Sequence, residues 1–222
     1  MEHSKSPQAI GTDSVLLGSW TKGIDNGQIL DIGTGCGLLA LMLAQKSEKE
    51  RITGIDISEV AIEEAKTNGL NSPWAEDLDF IHSSLEEYNP TTTFDLIISN
   101  PPYFEKQGLQ SPDEARALAR HNSKMPLHQI LSFSSQYLKS SGELSLVLPY
   151  SNLDSLRNEA KNHGLNIQKI LLIRPNARKE INRMLVSLSA QLKQEQTSEL
   201  VVRDFENNYT LAYKELTFEY YL

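Results

Sequence analysis

Short apolar runs alternate with longer amphipathic runs along most of the chain. Seven runs are typical of buried strands: QILDI at 28–32, RITGIDI at 51–57, LDFIH at 78–82, FDLIIS at 94–99, GELSLVLP at 142–149, NIQKILLI at 166–173 and RMLVSLSAQ at 183–191. Helical patterns lie at 38–46, 58–70, 111–121, 127–138 and 151–164. Because strands separated by helices of this length form parallel sheets, we predict an α/β fold. The sheet is expected to be mostly parallel and seven-stranded, with helices on both faces.

The pattern predicts a single domain over residues 1–222, since no repeat or linker-like stretch divides the chain. Residues 1–27 are expected to form an N-terminal lid-like segment, and 28–192 the sheet core. Residues 193–222 are expected to form a C-terminal extension whose aromatic tail, YTLAYKELTFEYYL, packs on the core as a helix.

Composition narrows the class of protein. The formal net charge of −8 argues against a general nucleic-acid coat, which would be basic, but allows a local basic patch. One cysteine, Cys36, permits no internal disulfide and fits a reducing compartment. The nearly apolar run at 35–44 is too short to span a bilayer, and no apolar signal core follows Met1. We expect a soluble, cytoplasmic protein, and the scattered histidines predict no metal.

A glycine-rich turn, GTGCG, follows the first strand. Gly33, Gly35 and Gly37 allow a sharp turn and a close approach of the backbone to a ligand. A dinucleotide site would have glycine or alanine where this chain has Leu38, which disfavours a nicotinamide dehydrogenase. A phosphate-binding P-loop ending is also absent.

Two acids frame the turn. Asp31 suits a cationic ligand and would repel a pyrophosphate, whereas Asp56 can accept hydrogen bonds from both hydroxyls of a ribose. A ligand with a ribose, a positive charge and no phosphate is S-adenosylmethionine. The alternatives are a solvent-exposed strand-end acid for Asp31 and a helix N-cap for Asp56. Cys36 has no base beside it and is predicted to be a packing residue.

The hexapeptide SNPPYF follows the fourth strand, where open parallel sheets bind ligands. The side-chain oxygen of Asn100 and the carbonyl oxygen of Pro101 can accept the two N–H groups of a planar amine. Pro102 helps to stiffen the corner, Tyr103 can stack on a base, and Phe104 can wall the pocket. Positioning then supplies most of the catalysis, without a strong general base. The alternative is a proline-rich turn.

The glycine-rich turn, Asp56 and NPPY, in this order, resemble the class I methyltransferases over residues 28–149. The resemblance implies a Rossmann-like fold and methyl transfer to a planar amino nitrogen of adenine, guanine or glutamine. With IGTDSVLLGSW, RPNARKEINRMLVSL and NNYTLAYKELTFEYYL, nearly the whole chain is similar to the bacterial tRNA (adenine-N(6))-methyltransferases that modify valine tRNA beside its anticodon. The implied target is the adenine 3′ of the anticodon, position 37.

The resemblance also implies roles for four further residues. Thr12 and Asp13 are expected to lie against cofactor and target, unless one of them caps the helix that starts near Ser14. Ser84 and Leu85 are expected to contact the cofactor adenine, although the family commonly has an acid in place of Ser84. Family members usually have more residues before GTD than the ten found here.

A basic cluster precedes the last predicted strand. Arg174, Arg178, Lys179 and Arg183 outnumber Glu180, a net charge of +3 within ten residues. We predict that the cluster binds phosphates of a tRNA anticodon stem-loop, whose bases are partly unpaired. The alternative is a solvated turn. We expect a monomer or a weak dimer.

Three rival functions remain at this stage. A protein glutamine (release factor) methyltransferase shares NPPY but usually carries an N-terminal helical domain. A ribosomal RNA or DNA amino-methyltransferase shares it too, although a DNA enzyme commonly adds a target-recognition domain. A non-catalytic RNA-binding module is disfavoured because Asp56 and Asn100 are intact.

Overall fold

The structure is a computed structural model that describes residues 11–48, 50–102 and 127–220. Its helices are α1 (Thr12–Trp20), α2 (Leu38–Lys46), α3 (Glu59–Leu70), α4 (Leu127–Tyr137), α5 (Leu153–Asn162), preceded by a 3-10 turn at Tyr150–Asn152, and α6 (Leu211–Thr217). Its strands are β1 (Gln28–Ile32), β2 (Arg51–Asp56), β3 (Leu78–His82), β4 (Phe94–Ser99), β5 (Leu138–Pro149), β6 (Asn166–Arg174), β7 (Arg183–Ser189) and β8 (Gln196–Val201). The predicted helix at 111–121 lies outside the described residues, as do Tyr103 and Phe104.

The strands form one sheet in the order β3-β2-β1-β4-β5-β7-β6-β8. All neighbouring strands are parallel except β7, which runs antiparallel to β5 and β6. The mostly parallel α/β sheet is confirmed, but it has eight strands rather than the predicted seven. The additional strand, β8, pairs with β6 at the edge and exposes its first four residues. Its sequence, QTSELV, therefore lacks the apolar run by which the other strands are recognised.

Helices cover both faces of the sheet, as predicted. Side chains of α1, α2, α3 and α6 pack in one apolar cluster, and those of α4 and α5 pack in the other. The N-cap of the C-terminal helix α6 is Thr210, whose hydroxyl accepts the N–H of Tyr213 at 3.2 Å. Tyr213 is buried in the first cluster. This part of the predicted aromatic tail therefore contacts the first cluster through Tyr213.

One edge of the sheet collects the ends of most strands. Because β5, β6 and β8 run parallel to β4, their C-terminal ends lie on the same side as those of β1, β2 and β3. The antiparallel β7 begins at this side, where Arg183 pairs with Pro149. We call this side the carboxyl edge.

Candidate active site

The glycine-rich turn is held against the end of β2 by its backbone. The N–H groups of Gly33 and Thr34 donate to the carbonyl of Ile55 at 2.8 and 2.9 Å. Gly33, Gly35 and Gly37 have φ values of 71°, 55° and 84°, a region that favours glycine. A Cβ added at Gly35 would meet nothing within 4 Å, so open space borders the turn there. The predicted cofactor turn therefore has room for a ligand at its tip.

Asp56 joins the glycine turn to the start of α3. One carboxylate oxygen accepts the N–H of Gly35 at 2.9 Å, and the other accepts the N–H of Ser58 at 2.9 Å. The N-cap of α3 is Ser58, whose hydroxyl accepts the N–H of Ala61, so the N-cap alternative for Asp56 is wrong. A carboxylate has about four acceptor sites, so Asp56 keeps capacity for ribose hydroxyls.

Asp31 lies fully buried beneath the turn. Its exposed fraction is 0%, so the alternative of a solvent-exposed acid is wrong. One carboxylate oxygen accepts the Thr34 hydroxyl at 2.7 Å, and the other has no hydrogen-bond partner among the described residues. Burial, with a smaller contribution from the charge of Asp56, raises the pKa of Asp31 to about 7, although the hydrogen bond from the Thr34 hydroxyl opposes the rise. A cationic ligand would compensate the buried charge.

This raised pKa predicts a pH-dependent stability for the ligand-free protein. Folding favours the protonated acid, so its stabilising contribution is complete below pH 3.8 and is lost as the pH rises through about 7. The shift from 3.8 to about 7 corresponds to a contribution on the order of 4 kcal/mol. Denaturant unfolding of the wild type and of Asp31→Asn, at pH 5 and pH 8, measures the part of this contribution that is lost between these two pH values.

The asparagine side chain is neutral at both pH values, so Asp31→Asn should gain stability relative to the wild type between pH 5 and pH 8. If the free energies of unfolding of the two proteins differed by the same amount at both pH values, the raised pKa of Asp31 would be contradicted. Other titrating groups, such as Glu50, are common to both proteins and cancel in the comparison.

We call residues 99–102 the proline corner; it begins at the last residue of β4, beside the end of β1. The Ser99 hydroxyl donates to the carbonyl of Ile32 at 2.7 Å and ties the two strand ends together. The next side chain, Asn100, donates its amide N–H to the hydroxyl oxygen of Ser14 at 2.8 Å. Pro101 is buried and Pro102 is exposed. Since the donor end of the amide faces Ser14, the acceptor end of Asn100 points to another side.

Helix α1 is fastened to the carboxyl edge by its first turn. Its N-cap is Gly11 without a side-chain hydrogen bond, so neither Thr12 nor Asp13 caps the helix. Instead, the Asp13 carboxylate accepts Nε of Arg183 at 3.1 Å. Ser14 follows in the same turn, and its hydroxyl accepts the hydrogen bond from the Asn100 amide. The first turn of α1 therefore connects the start of β7 with the corner after β4.

The predicted basic cluster is divided by the structure. Arg174 pairs with Glu199 at 2.6 Å and lies 4.0 Å from Glu180, while Arg183 pairs with Asp13. The side chains of Arg178 and Lys179 are exposed and make no ion pair with the described residues. The four residues thus share one edge, but two of the cations are already neutralised.

Ser84 and Leu85 follow β3 at the same edge. The Ser84 hydroxyl donates to Glu87 at 3.0 Å and accepts the Glu87 N–H at 3.2 Å, which shapes a local turn. Leu85 is 9% exposed and packs in the apolar cluster under α4 and α5. Contact of either residue with the cofactor adenine stays a prediction.

Several supports of the turn were missed by the sequence analysis. Asn68 is buried on α3 and donates to the carbonyl of Cys36 at 2.9 Å. Gly54 leaves space for Phe80, since a Cβ there would lie 2.7 Å from its ring. Burial also raises the pKa of the Cys36 thiol, with Glu64 adding to it, which supports a packing role. Of these supports, only Asn68 could have been noticed in the sequence, because it is a polar residue on the apolar face of α3.

The described residues contain no group of three or more His, Cys, Asp or Glu that could hold a metal ion. Within the same part of the chain, the helices are too short or too polar to cross a membrane.

Comparison with known proteins identifies the family. The model of the methyltransferase small domain matches residues 6–157. A Vibrio campbellii protein named tRNA1(Val) (adenine(37)-N6)-methyltransferase is 36% identical over 218 residues, 98% of this chain and 90% of the relative. A Bacteroides thetaiotaomicron protein with the same name is 36% identical over 221 residues, 99% of this chain and 93% of the relative. The chain belongs to this family of tRNA1(Val) (adenine(37)-N6)-methyltransferases.

Solved structures support the Rossmann-like methyltransferase fold. A predicted O-methyltransferase from Agrobacterium tumefaciens superposes with a TM-score of 0.70 at 19% identity, covering 93% of this chain and 96% of that one. A type I restriction-modification methyltransferase subunit from Streptococcus thermophilus gives a TM-score of 0.65 at 19% identity, covering 97% of this chain and 53% of that one. At this identity they speak for the fold alone.

The cofactor of this methyltransferase is S-adenosylmethionine, as predicted. The described residues fit it in three respects. Open space borders Gly35, Asp56 presents acceptors beside that space, and one buried oxygen of Asp31 lacks a partner. The individual contacts of these residues with the cofactor stay predictions.

Proposed function

We propose that the chain transfers the methyl group of S-adenosylmethionine to N6 of adenine 37 in a valine tRNA. The observation that carries the proposal is the position of Asn100, directly after β4 and next to the strand that leads into the glycine turn. A planar amine held at Asn100 would lie beside a cofactor held by the turn. Relatives of which the alignment covers 90–96% carry the name of this reaction.

The corner is suited to a weakly nucleophilic amine. The lone pair of adenine N6 is delocalised into the ring, so N6 attacks poorly when it is planar. The Asn100 side-chain oxygen and the Pro101 carbonyl oxygen would accept its two N–H groups and favour a pyramidal nitrogen. The hydrogen bond to Ser14 is compatible with this arrangement, because it uses the amide N–H of Asn100 and not the side-chain oxygen.

Bound S-adenosylmethionine supplies a methyl group on a sulfonium sulfur. The N6 nitrogen held at Asn100 and Pro101 would accept this methyl group, and S-adenosylhomocysteine would be the other product. The methylated nitrogen would then lose one proton to solvent, while Asn100 and Pro101 hold it in place. Such a transfer depends chiefly on alignment of the reacting atoms, which is worth several kcal/mol in enzymes.

Mass spectrometry of nucleosides from purified tRNA, in cells with and without the gene, tests the proposal. N6-methyladenosine should disappear from valine tRNA when the gene is deleted and return with a wild-type copy. Unchanged tRNA, together with loss of a methylglutamine from release factors, would replace the proposal with its nearest rival. As a tRNA-modifying enzyme, the protein would act on the anticodon stem-loop in the cytoplasm, as a monomer or a weak dimer.

The exposed cations predict a salt-dependent tRNA affinity. If Arg178 and Lys179 each contact a phosphate, reversing both to Glu should weaken tRNA binding. It should also lower the slope of log affinity against log salt by about 0.7–0.9 for each contact. Titrations of tRNA at several salt concentrations measure the slope.

A matched control for this pair reverses Arg51 and Lys66, which are also exposed but lie at the start of β2 and in the middle of α3. Both double variants change the net charge equally. If they have the same effect, or if the slope is unaltered in the first, the cluster is a solvated turn.

A further inference from the structure

Two loops at the carboxyl edge are joined into one unit. We call residues 175–182, after β6, and residues 202–210, after β8, the paired loops. The Ala177 N–H donates to the carbonyl of Arg203 at 2.9 Å, and the Asn176 amide donates to the carbonyl of Asp204 at 3.1 Å. The oxygen of the same Asn176 side chain accepts the N–H of Arg178 at 2.9 Å. The position of the exposed cations is thereby fixed relative to the second loop.

The second loop presents aromatic rings together with a cation. Phe205 is 61% exposed and Tyr209 is 42% exposed, although both rings are apolar surface that folding normally covers. The Arg203 guanidinium lies 3.9 Å from the ring centroid of Tyr209, which stacks in turn on Tyr213 at 4.6 Å. These contacts hold Arg203 and Tyr209 in place, while Phe205 stands out from the loop tip.

The paired loops contain three acidic residues, of which Asp204 accepts hydrogen bonds from the backbone of its own loop. One oxygen of Asp204 accepts the N–H groups of Glu206 and Asn208, at 3.0 and 2.8 Å, which makes the carboxylate part of the turn. Glu180 and Glu206 are exposed. The surface therefore mixes cations, acids and one projecting ring, unlike a continuous apolar interface. Such a mixture suits base stacking with a few phosphate contacts.

The paired loops lie on the same edge as the reaction site. In the sheet, β6 is three strands from β4 and β8 is four strands away. Neighbouring strands are about 4.8 Å apart, which places the loops about 14–19 Å from Asn100 along the edge. One folded RNA hairpin could contact both places at once.

We propose that the paired loops are a tRNA docking surface, on which Phe205 stacks against an unpaired base while Arg178, Lys179 and Arg203 face the RNA backbone. This inference rests on the proposed function and adds a contact outside the reaction site. It separates the residues that hold the tRNA from Asn100, which holds the reacting amine.

The test compares two phenylalanines. Phe205→Ala should weaken binding of valine tRNA by roughly 5- to 150-fold, the effect of losing one stacked base. It should raise KM for tRNA, while kcat and the affinity for S-adenosylhomocysteine stay unchanged. Phe205→Trp should bind as the wild type does, because it restores the stacking surface. Phe218→Ala is the control: Phe218 is 79% exposed, but its neighbour Glu219 contacts Gln45 at the end of α2, away from the carboxyl edge.

The outcomes separate this inference from the proposed function. A wild-type protein that methylates tRNA, with a Phe205→Ala variant of equal tRNA affinity, overturns the docking surface alone. A wild-type protein that does not methylate tRNA overturns the proposed function instead. Light scattering adds a further outcome: a dimer that dissociates in Phe205→Ala, with tRNA affinity unchanged, would assign the ring to self-association and also overturn the inference.

Discussion

Replacement of Asn100 by alanine is expected to lower turnover by about 100- to 1,000-fold, the usual cost of removing one group aligned with a transition state. The variant loses the side-chain oxygen that would accept an N–H of the reacting amine. Its affinity for S-adenosylhomocysteine should stay within about twofold, because the glycine turn and Asp56 belong to other strand ends. Single-turnover kinetics with saturating tRNA measures the effect on methyl transfer.

Asn100→Asp is the conservative comparison. A carboxylate keeps acceptor oxygens for the amine and can accept the Ser14 hydroxyl, so this variant should retain more turnover than the alanine variant. Turnover close to that of the wild type in Asn100→Ala would show that the amine is not positioned by this side chain. Equal losses in the two variants would point to a structural defect of the corner.

Replacement of Asp56 by alanine is expected to weaken cofactor binding by about 1.5–3 kcal/mol, or roughly 10- to 150-fold. The carboxylate would accept hydrogen bonds from the ribose, and it also holds the N–H groups of Gly35 and Ser58. Calorimetry with S-adenosylhomocysteine measures the loss. Glu59→Ala removes an exposed carboxylate three positions further along the chain and should bind normally.

A cofactor analogue separates the two roles of Asp56. The wild type should bind S-adenosylhomocysteine more tightly than its 2′-deoxy analogue, since the deoxy compound cannot donate from the 2′ position. In Asp56→Ala this preference should vanish. If the preference persisted, Asp56 would support the turn without contacting the ribose.

The elements that hold the cofactor could be predicted from sequence because their signals are local. The bounds of β1 and α2 match the predicted runs, and the glycine turn lies between them. The predicted helical run at 58–70 also begins at Ser58, the N-cap of α3, and a hydroxyl before an amphipathic run commonly caps a helix. The identity of the cofactor followed from two acids at strand ends, where topology brings them together.

The features of the fold and the site that were not predicted depend on contacts between distant parts of the chain. Asp13 and Arg183 lie 170 positions apart, and Asn100 and Ser14 lie 86 apart, so no local pattern could pair them. The edge strand β8 is polar and exposed, which hides it from a search for apolar runs. The sequence analysis did not single out Phe205, because its exposure depends on how the paired loops fold together.

Helix α1 contributes to the site through two contacts. One is the hydrogen bond from Asn100 to Ser14, and the other is the ion pair between Asp13 and Arg183. They fasten the first turn of α1 to the corner after β4 and to the start of β7. The family resemblance implied that Thr12 and Asp13 would lie against the cofactor and the target. The structure places Asp13 in an ion pair at the carboxyl edge, from which it can position its neighbour Ser14.

The most direct test of the central claim is methylation of two valine tRNA transcripts by the purified protein. One transcript carries adenine at position 37 and the other carries guanine there. With S-adenosylmethionine, nucleoside mass spectrometry should find one N6-methyladenosine in each adenine transcript and none in the guanine transcript. Methylation of both transcripts, or of neither, would contradict transfer to the amino nitrogen of adenine 37.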